Sequence, residues 1–435
     1  MKTLRILASM LLAVVLGGGI VFGQTLARPD VRERVRASRM LAAGLDRTYD
    51  TTVKALTPPP KGYKATYIAH YGRHGSRYAY TAKTYTLPME LLRRGAASDN
   101  LTEYGQALLA QMESFWKEAQ YKVGDLTPAG WKQHAWIAAN MVKSFPDAFK
   151  AGSRVDACSS PSVRSIMSMA SCCASISRQA PKAEVYAHQG VLDIQATRPN
   201  TGKNPFAYTG PKPAFPFAES SEEYFLSKFP QYPDVLARLF KDPSGCLGSV
   251  SAYDAFFYLY MLVAGMNSIP AEERLEVDAL LTDEEFAILW ETDNYERFRE
   301  YYPYKTTCCS IVDDMVAKAD ARLASGSTGA DLRFGHDHVL MTLLMIMDIN
   351  GAGTVASAAD EQLYYFQTTD SPMATNLQLV FYTPKCKKRD GEPLVKILLN
   401  GEEARFNMDN SDWPYYKWSE LKSYLRARTD LFVTR

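Results

Sequence analysis

The sequence has no marked excess of charge of either sign, no internal repeat and no low-complexity tract. Its 435 residues include 49 lysines and arginines against 48 aspartates and glutamates, which gives a net charge of +1. A nucleic-acid-binding protein needs a clear basic excess, so the charge balance argues against a nucleic-acid partner. Apolar residues make up 46% and charged residues 22% of the chain, as is ordinary for a globular protein with a large core.

Cysteines are also too few and too oddly spaced to form a disulfide scaffold. There are seven, an odd number, and four of them form the adjacent pairs Cys172-Cys173 and Cys308-Cys309. Neighbouring cysteines rarely bridge each other, and no spacing matches a zinc site. We therefore expect buried thiols, or one or two incidental disulfides.

Only the first residues contain a long apolar run. Lys2 and Arg5 precede an almost wholly apolar stretch at 6–23, and small residues stand just before Gln24. This pattern predicts a secretory signal peptide over residues 1–23. An uncleaved membrane anchor is the alternative, because about 18 apolar residues can just span a bilayer. We expect an exported mature protein, periplasmic or extracellular, with no membrane contact after cleavage.

Strand and helix patterns alternate at both ends of the chain. Apolar runs that meet glycines indicate strands, and apolar residues that recur every three or four positions indicate helices. Asn400-Gly401 favours the tight mirror-image turn of a hairpin. The predicted elements are strands at 65–69, 154–157, 332–334, 376–382, 395–399 and 404–406, and helices at 101–115, 131–145, from Ser160, and at Asp337–Met347.

The middle of the chain is predicted to be mostly helical. Residues 198–217 hold five prolines and indicate a long surface loop. Ser220 with Glu223, and Thr282 with Glu285, resemble capping boxes. We therefore expect an α/β fold, a sheet flanked by helices, with an inserted mostly helical domain. The predicted divisions are a lead-in at 24–60, an α/β core at 61–190 and 305–435, and a helical lid at 191–304.

The densest chemical feature is the segment at 71–78, which follows the first predicted strand. Ligand sites of open α/β sheets lie at that end of a strand. Arg73 and Arg77 carry guanidinium groups, which match phosphate oxygens with paired, charge-assisted hydrogen bonds. His74 between them could act as a nucleophile toward phosphorus. Gly75 would let the backbone approach an anion closely.

Two later segments carry matching chemistry. Arg164 lies one turn into a predicted helix, whose N-terminus attracts anions, and Ser168 shares its face. His336 and Asp337 stand at a second strand-to-helix turn. His336 could donate a hydrogen bond to a phosphoryl oxygen, and Asp337 could protonate a departing alkoxide.

The sequence resembles the histidine acid phosphatases, the high-molecular-weight branch of the histidine phosphatase superfamily. The resemblance lies in the segment Arg73-His74-Gly75-x-Arg77 and in the downstream His336-Asp337 pair. The resemblance extends over much of the mature chain. It is most similar to the multiple inositol polyphosphate phosphatases, a group that includes phytases. The segments that carry this closer resemblance are 126–130, 160–168, 332–336, 376–379 and 395–400.

The resemblance implies a fold, a substrate class and a mechanism. The fold would be a histidine-phosphatase-like α/β sheet with a flanking helical domain, and the substrate would lie between them. The substrate would be a small phosphomonoester, and neither a metal nor an organic cofactor is implied. Water would hydrolyse a phosphoenzyme intermediate. The implied roles are nucleophile for His74, phosphate clamp for Arg73, Arg77 and Arg164, pocket completion for His336 and proton donor for Asp337.

The sequence departs from the family pattern near both motifs. Ala79 stands where the fuller motif has proline. Inositol polyphosphate phosphatases often have His-Ala-Glu at the acid site, but here it reads His336-Asp337-His338. Val339 replaces the asparagine of the His-Asp-Thr-Asn phytase variant. We expect His338 to lie on the first turn of a helix without a role in binding, and contact with the substrate is the alternative.

The other candidates are single residues. Lys83, soon after the main motif, is a candidate contact for additional phosphates. The basic residues at 385–389 are expected to form a solvated loop. His70 stands four residues before His74, but a strand would point it elsewhere. His134 and His188 are expected to be structural or at the surface.

Three functions are compatible with these residues. The first is an exported, metal-independent phosphomonoesterase that acts on inositol polyphosphates such as phytate. The second is a non-catalytic phosphoester-binding protein on the same fold. The third is a metal-dependent phosphohydrolase that would use the side chains of His70, His74, His336, Asp337 and His338. The arginines around His74 would repel a cation, which favours the first function over the third.

Overall fold

The computed structural model describes residues 26–202, 204–210, 212–386 and 391–433. The predicted signal peptide and most of the basic segment at 385–389 lie outside these ranges. The strands are β1 (Tyr63–Arg73), β2 (Arg154–Ser159), β3 (Glu184–His188), β4 (Gly329–Gly335), β5 (Asn376–Pro384), β6 (Leu394–Leu399), β7 (Glu402–Glu403) and β8 (Tyr416–Lys417). The α-helices are α1 (Val31–Arg36), α2 (Arg39–Ala42), α3 (Lys83–Ala97), α4 (Glu103–Ala119), α5 (Pro128–Ser144), α6 (Val163–Gln179), α7 (Ile194–Thr197), α8 (Ser221–Lys228), α9 (Tyr232–Leu239), α10 (Ala252–Gly265), α11 (Asp283–Tyr301), α12 (Lys305–Ser325), α13 (Asp337–Met347) and α14 (Trp418–Asp430).

The strands form one mixed sheet, which in the described ranges has the order β3-β2-β4-β1-β5-β6-β7, with β8 paired to β6. β1 lies at its centre, parallel to β4 on one side and antiparallel to β5 on the other. β2 is parallel to β4, so β1, β2 and β4 end at the same edge of the sheet. That edge is where an open α/β sheet binds ligands.

Helices cover both faces of the sheet. α12, α13 and α14 bury residues such as Ile311, Leu344 and Leu421 against one face. α5 and α6 bury Ile137 and Ile176 against the other. Because both faces are buried, the central strands have almost continuous apolar runs rather than alternating ones. The predicted α/β sheet flanked by helices is confirmed.

A second body of helices packs beside the sheet. α3 and α4 share one hydrophobic cluster with α8 to α11, which includes Leu92, Phe256 and Trp290. The described residues of 191–304 form helices and no strand. The helical body therefore also recruits α3 and α4, which the sequence grouped with the core. The division of the chain into domains stays a prediction.

Many of the predicted elements are present. The helix predicted at Asp337–Met347 is α13 with the same bounds. Thr127 caps α5 by accepting a hydrogen bond from the Gly130 amide, and Pro128 is its first residue. Both predicted capping boxes, at Ser220 and Thr282, are formed. All seven cysteines lie in the described ranges, and none of them forms a disulfide there.

The predicted hairpin is only partly correct. Asn400 and Gly401 have φ angles of 55° and 79°, as the mirror-image turn requires. The second strand, however, is Glu402–Glu403 rather than 404–406. Phe406 instead forms an isolated bridge with Ile349, which draws the chain away from β6.

Three elements lack a clear signal in the sequence. Pro88 lies inside α3 and interrupts the apolar pattern of this helix. The side chains on one face of α3 are nevertheless buried. β3 is short and mostly exposed, and α14 is rich in polar residues. Among the described residues, no helix is both long and apolar enough to cross a membrane.

Candidate active site

The end of β1 fixes the backbone of the Arg73-His74 segment between its neighbouring strands. The Arg73 amide donates to the Thr375 carbonyl at 2.7 Å, and the His74 amide donates to the Gly335 carbonyl at 3.0 Å. On the opposite side, the Ala374 amide donates to the His74 carbonyl at 2.9 Å. The candidate nucleophile is therefore tied to both halves of the sheet edge.

The tautomer of His74 follows from its hydrogen bond. Its Nδ1 lies 3.0 Å from the carbonyl oxygen of Gly75. A carbonyl only accepts hydrogen bonds, so Nδ1 carries the proton and Nε2 carries the lone pair. Burial holds the pKa of His74 well below its usual range, and the charges of Arg164 and Arg73 lower it further. The ring is therefore a neutral imidazole whose Nε2 can attack an electrophile.

Arg73 and Arg77 are held in place by carbonyl and carboxylate oxygens. Nη1 of Arg73 donates to the Leu45 carbonyl at 2.5 Å and to the Ser371 carbonyl at 2.7 Å. Nη2 of Arg77 lies 3.7 Å from Oδ1 of Asp46. The lead-in segment that contains Leu45 and Asp46 thus positions both arginines of the motif.

Five arginines line a cavity of about 280 Å³. Within the described residues, the buried Nε–H groups of all five have no hydrogen-bond partner. Burial and the nearby Arg77 charge lower the pKa of Arg164 to about 10. These guanidinium groups repel one another and their Nε–H groups lack acceptors, and an anion with several oxygens would relieve both costs. The five are Arg73, Arg77, Arg164, Arg198 and Arg297.

His336 and Asp337 lie where β4 passes into α13. Nε2 of His336 is 2.9 Å from Oγ of Ser160, and its ring centroid is 5.6 Å from that of His74. Asp337 accepts a hydrogen bond from the Tyr301 hydroxyl at 3.2 Å. Burial opposes the ionisation of Asp337, but the charge of Arg73, 3.7 Å away, helps hold its pKa well below the usual range. The surrounding charges therefore favour the carboxylate form of Asp337.

The packing of α5 against the motif requires glycine at position 75. A Cβ atom at Gly75 would lie 2.5 Å from the carbonyl oxygen of Gly130 in α5. The Gly75 amide donates to Oγ of Ser168 at 3.1 Å. Thr127, the cap of α5, donates to the Ser76 carbonyl through both its amide and its hydroxyl. The start of α5 thus supports the motif on the side away from the cavity, and the approach of the Gly75 backbone to an anion stays a prediction.

Ala79 is explained by a hydrogen bond that proline could not make. The Ala79 amide donates to the Tyr85 hydroxyl at 2.9 Å. Proline has no amide hydrogen, so it would leave this buried hydroxyl without its donor. The departure from the family motif is therefore matched by a local contact with α3.

Of the other histidines in the described residues, His338 lines the cavity, and the rest lie outside its lining. His338 lines the cavity, with its ring stacked on that of His336 at 5.3 Å. It lies in the first turn of α13 as expected, and a contact with the substrate stays a prediction. His70 packs on Phe334 outside the cavity, and burial lowers its pKa to about 3. His134 is buried against the same ring, and His188 bonds Asp193 at the surface.

The geometry favours neither a contact between Lys83 and additional phosphates nor the metal-dependent hydrolase. Lys83 is exposed, and its Nζ lies 4.7 Å from the ring centroid of Tyr258, outside the cavity lining. Because His70 is also outside the lining, the five-residue metal cluster considered from the sequence does not assemble. In the described ranges, no group of three or more His, Cys, Asp or Glu side chains is arranged to hold a metal ion.

Several cavity residues were not singled out from the sequence. They come from the lead-in, from the proline-rich loop after α7 and from α11, and they meet the motif only in the folded chain. No local pattern marks them as phosphate-binding. They include Asp46, Tyr80, Arg198, Asp293, Arg297, Glu300, Tyr301 and Tyr304.

The structure is similar to three solved phosphatase structures of low sequence identity. Multiple inositol polyphosphate phosphatase from Bifidobacterium longum, in complex with phosphate, has 19% identity and a TM-score of 0.70 over 89% of this chain and 98% of that one. The phytase from D. castellii has 14% identity and a TM-score of 0.60, over 91% and 85%. Hafnia alvei phytase has 10% identity and a TM-score of 0.51, over 85% and 98%.

No protein-family model and no curated protein sequence matches the chain. At these identities the structural likeness defines the fold. The chain has the α/β fold of the histidine acid phosphatases, with a central mixed sheet flanked by helices. The predicted histidine-phosphatase-like fold is thereby confirmed.

Proposed function

We propose that this chain is a histidine acid phosphatase that hydrolyses phosphomonoesters through a phosphohistidine on His74. One observation carries the proposal. A neutral His74, with its lone pair on Nε2, borders a cavity whose arginines have unpaired N–H groups. A phosphate monoester supplies both the oxygens that these groups lack and the electrophilic phosphorus.

In the first step, Nε2 of His74 attacks phosphorus. The N–P bond forms as the bond from phosphorus to the leaving oxygen breaks. Asp337 gives its proton to that oxygen, which would otherwise leave as a poor alkoxide. The charge of Arg73 favours the ionised form of Asp337, and a bound phosphate would offset that charge and raise the pKa of Asp337. Substrate binding therefore favours the protonated form of Asp337, which can donate the proton.

In the second step, water attacks the phosphohistidine. The O–P bond forms, the N–P bond breaks, and the electron pair returns to Nε2 of His74. The Asp337 carboxylate takes a proton from the water, which resets it for the next cycle. His336 and the arginines hold the phosphoryl oxygens throughout, and inorganic phosphate leaves.

We further propose inositol polyphosphates, phytate among them, as the substrate class. The support is the fold, which is shared with an inositol polyphosphate phosphatase and with phytases. Export after cleavage before Gln24 and independence of metals belong to the same proposal. The pair of arginines beside His74 supports metal independence, because it would repel a cation.

Phosphate release tests the mechanism. Residues 24–435 are assayed with phytate and with nitrophenyl phosphate, across pH and in the presence of EDTA. We expect release from both substrates, no effect of EDTA, and loss of turnover in His74→Ala. His188→Ala is the matched control, since this histidine is at the surface and outside the cavity lining.

Each other outcome points to a different function. Full activity in His74→Ala would contradict the phosphohistidine mechanism. Activity that EDTA removes and zinc restores would favour a metal-dependent hydrolase. Binding of phosphate without turnover of either substrate would indicate a phosphoester-binding protein.

A further inference from the structure

The hydroxyl of Tyr301 reaches the proton donor from a different part of the fold. Asp337 is the first residue of α13, which covers the sheet, whereas Tyr301 is the last residue of α11. The Tyr301 hydroxyl donates to Oδ2 of Asp337 at 3.2 Å, and both side chains line the cavity. Tyr301 has none of the roles proposed above, so the purpose of this contact is open.

Tyr301 is held in place and acts as a hydrogen-bond donor. It is 2% exposed, and its ring centroid lies 6.4 Å from that of Tyr304 and 6.1 Å from that of His338. Burial and the negative charge of Asp337 hold the pKa of Tyr301 well above its usual value. The hydroxyl therefore keeps its proton in neutral and acidic solution and can donate it to the carboxyl group.

The two carboxyl oxygens of Asp337 have different neighbours. Oδ2 accepts from Tyr301 and lies 3.7 Å from Nη2 of Arg73. Oδ1 lies 3.8 Å from Nδ1 of His338, which is too far for a hydrogen bond. Burial lowers the pKa of His338 to about 4, so above that pH the ring brings no positive charge to Oδ1. Because Oδ2 is used as an acceptor, a protonated Asp337 carries its proton on Oδ1.

The Tyr301 hydroxyl also faces an oxygen on which charge develops. When Asp337 gives up its proton, both oxygens share the negative charge, and a hydrogen bond to an ionised oxygen is about twice as strong as one to a neutral oxygen. A bound phosphate offsets the charge of Arg73 at that moment, but it cannot offset a neutral hydroxyl in the same way. A donor fixed at the site of developing charge lowers the barrier to proton transfer.

We propose that Tyr301 is a positioning residue for proton transfer, which places the proton of Asp337 on Oδ1 and stabilises the carboxylate that forms. The proposal rests on the proposed function and deepens it at the same site. The bond from Oδ1 to the proton breaks as the bond from that proton to the leaving oxygen forms, and the electron pair stays on the carboxylate. Tyr301 keeps its own proton throughout. Its contribution should therefore increase with the need of the leaving oxygen for a proton.

Benzyl phosphate and 4-nitrophenyl phosphate test this dependence. Both carry one phosphate and one aromatic ring, but the benzyl alkoxide leaves poorly without a proton, whereas nitrophenolate leaves readily. Tyr301→Phe keeps the ring and removes the hydroxyl. We expect kcat/KM to fall about tenfold for benzyl phosphate and for phytate, and to change less than about twofold for 4-nitrophenyl phosphate. Because kcat/KM includes only the steps up to the release of the alcohol, hydrolysis of the phosphohistidine does not affect the comparison.

The pH profile with benzyl phosphate provides a second measurement. The hydrogen bond from Tyr301 favours the ionised form of Asp337, so its loss raises the pKa of Asp337. The basic limb of kcat/KM, on which Asp337 loses its proton, should move about 0.5–1 unit to higher pH in Tyr301→Phe. The other charged and titratable groups that face Asp337 are the same in both proteins. They are Arg73, His74 and Arg77 at the end of β1, Arg164 from α6, Glu300 from α11, and His336 and His338 at the start of α13.

Two control variants complete the design. Tyr302 follows Tyr301 but lies outside the cavity lining, where its ring packs on that of Phe298. Tyr302→Phe should leave the ratio of the two kcat/KM values unchanged. Asp337→Asn has no acidic proton to position. Addition of Tyr301→Phe to Asp337→Asn should therefore change kcat/KM for benzyl phosphate less than about twofold.

The outcomes separate the two proposals. Equal losses with benzyl and 4-nitrophenyl phosphate would indicate a structural role for Tyr301, and a loss confined to phytate would indicate a direct contact with the inositol phosphate. Either result, or unchanged kcat/KM values in Tyr301→Phe, would overturn the inference while the phosphatase proposal stands. Absence of turnover of all three substrates by the wild type would contradict the phosphatase proposal itself.

Discussion

His74 combines two properties that an exposed histidine cannot have in mildly acidic solution. It lies among cationic groups, yet burial and those same charges keep its imidazole neutral. An ordinary imidazole with a pKa of about 6.5 would be mostly protonated at pH 5 and would have no lone pair for attack. The arginines therefore preserve the nucleophile as well as bind the phosphate.

This double role predicts a shift in pH dependence when Arg164 loses its charge. Removal of a positive neighbour raises the pKa of His74, so the ring becomes protonated at higher pH. In Arg164→Gln, the acid limb of the kcat/KM profile should move to higher pH, and the affinity for inorganic phosphate should fall about tenfold. A pH–rate series with phosphate inhibition measures both effects.

Arg178 provides the control on the same helix. It lies in the last turn of α6 and is exposed. Arg178→Gln should leave the acid limb and the phosphate affinity unchanged. An acid limb in Arg164→Gln that coincides with wild type would show that this arginine does not control the protonation of His74.

The sequence identifies the residues that lie in contiguous motifs. Arg73, His74 and Arg77 stand together in one segment, and the chemistry of such a cluster can be inferred without a structure. Asp46 and Glu300 could not be found in this way. Each is an isolated carboxylate in its own segment, and only the tertiary fold brings it to the cavity.

The N-terminus of α5 is the element that supports the phosphate motif from outside the cavity. The Ser76 amide donates to Oε1 of Gln133, and Nε2 of Gln133 donates to the Ser76 hydroxyl. The Thr127 hydroxyl donates to the Ser76 carbonyl. A Cβ atom added at Gly130 would collide with the Ser76 carbonyl oxygen and would lie 2.8 Å from the Ser76 nitrogen. A side chain at this position must push the helix away from the motif.

Gly130→Ala should therefore lower both stability and activity. Overpacking at a close backbone contact costs about 1–3 kcal/mol, and the displaced motif should reduce kcat/KM. Gly265→Ala is the control, because nothing lies within 4 Å of its added Cβ atom. It should be neutral or stabilising by about 0.5–1 kcal/mol. Urea unfolding of both variants makes the comparison, and equal stabilities would contradict the proposed contact.

Element boundaries were predictable where local chemistry defines them. The bounds of α13 follow from a strand-to-helix turn and an apolar run. The caps at Ser220 and Thr282 are formed by residues only three positions apart in the sequence. α3 was missed because Pro88 interrupts its pattern. Its helix is stabilised by burial against α4 and α10, which is a tertiary effect.

The first described residues are joined to the centre of the molecule by a paired contact. Arg28 donates two hydrogen bonds to Asp370, each of 2.8 Å, and a third to the Tyr365 carbonyl. Asp370 immediately precedes Ser371, whose carbonyl holds the guanidinium of Arg73. The lead-in therefore stabilises the loop on which an active-site arginine depends.

Loss of this contact should be measurable in the whole molecule. Arg28→Ala should lower the free energy of unfolding by about 1–3 kcal/mol, because Asp370 would lose its charged partner while largely buried. Arg36→Ala removes an exposed pair with Glu284 and should change stability by less than about 0.5 kcal/mol. Equal denaturant midpoints for the two variants would contradict the structural role of Arg28.

The central position of β1 has a consequence for biosynthesis. Its two neighbours, β4 and β5, begin at Gly329 and Asn376, so both are translated long after β1. A nascent chain that ends before Gly329 has no strand to pair with β1 and cannot build the pocket around His74. Such late, non-local pairing is slow. We therefore expect the phosphate site to form only after β4 and β5 have been synthesised.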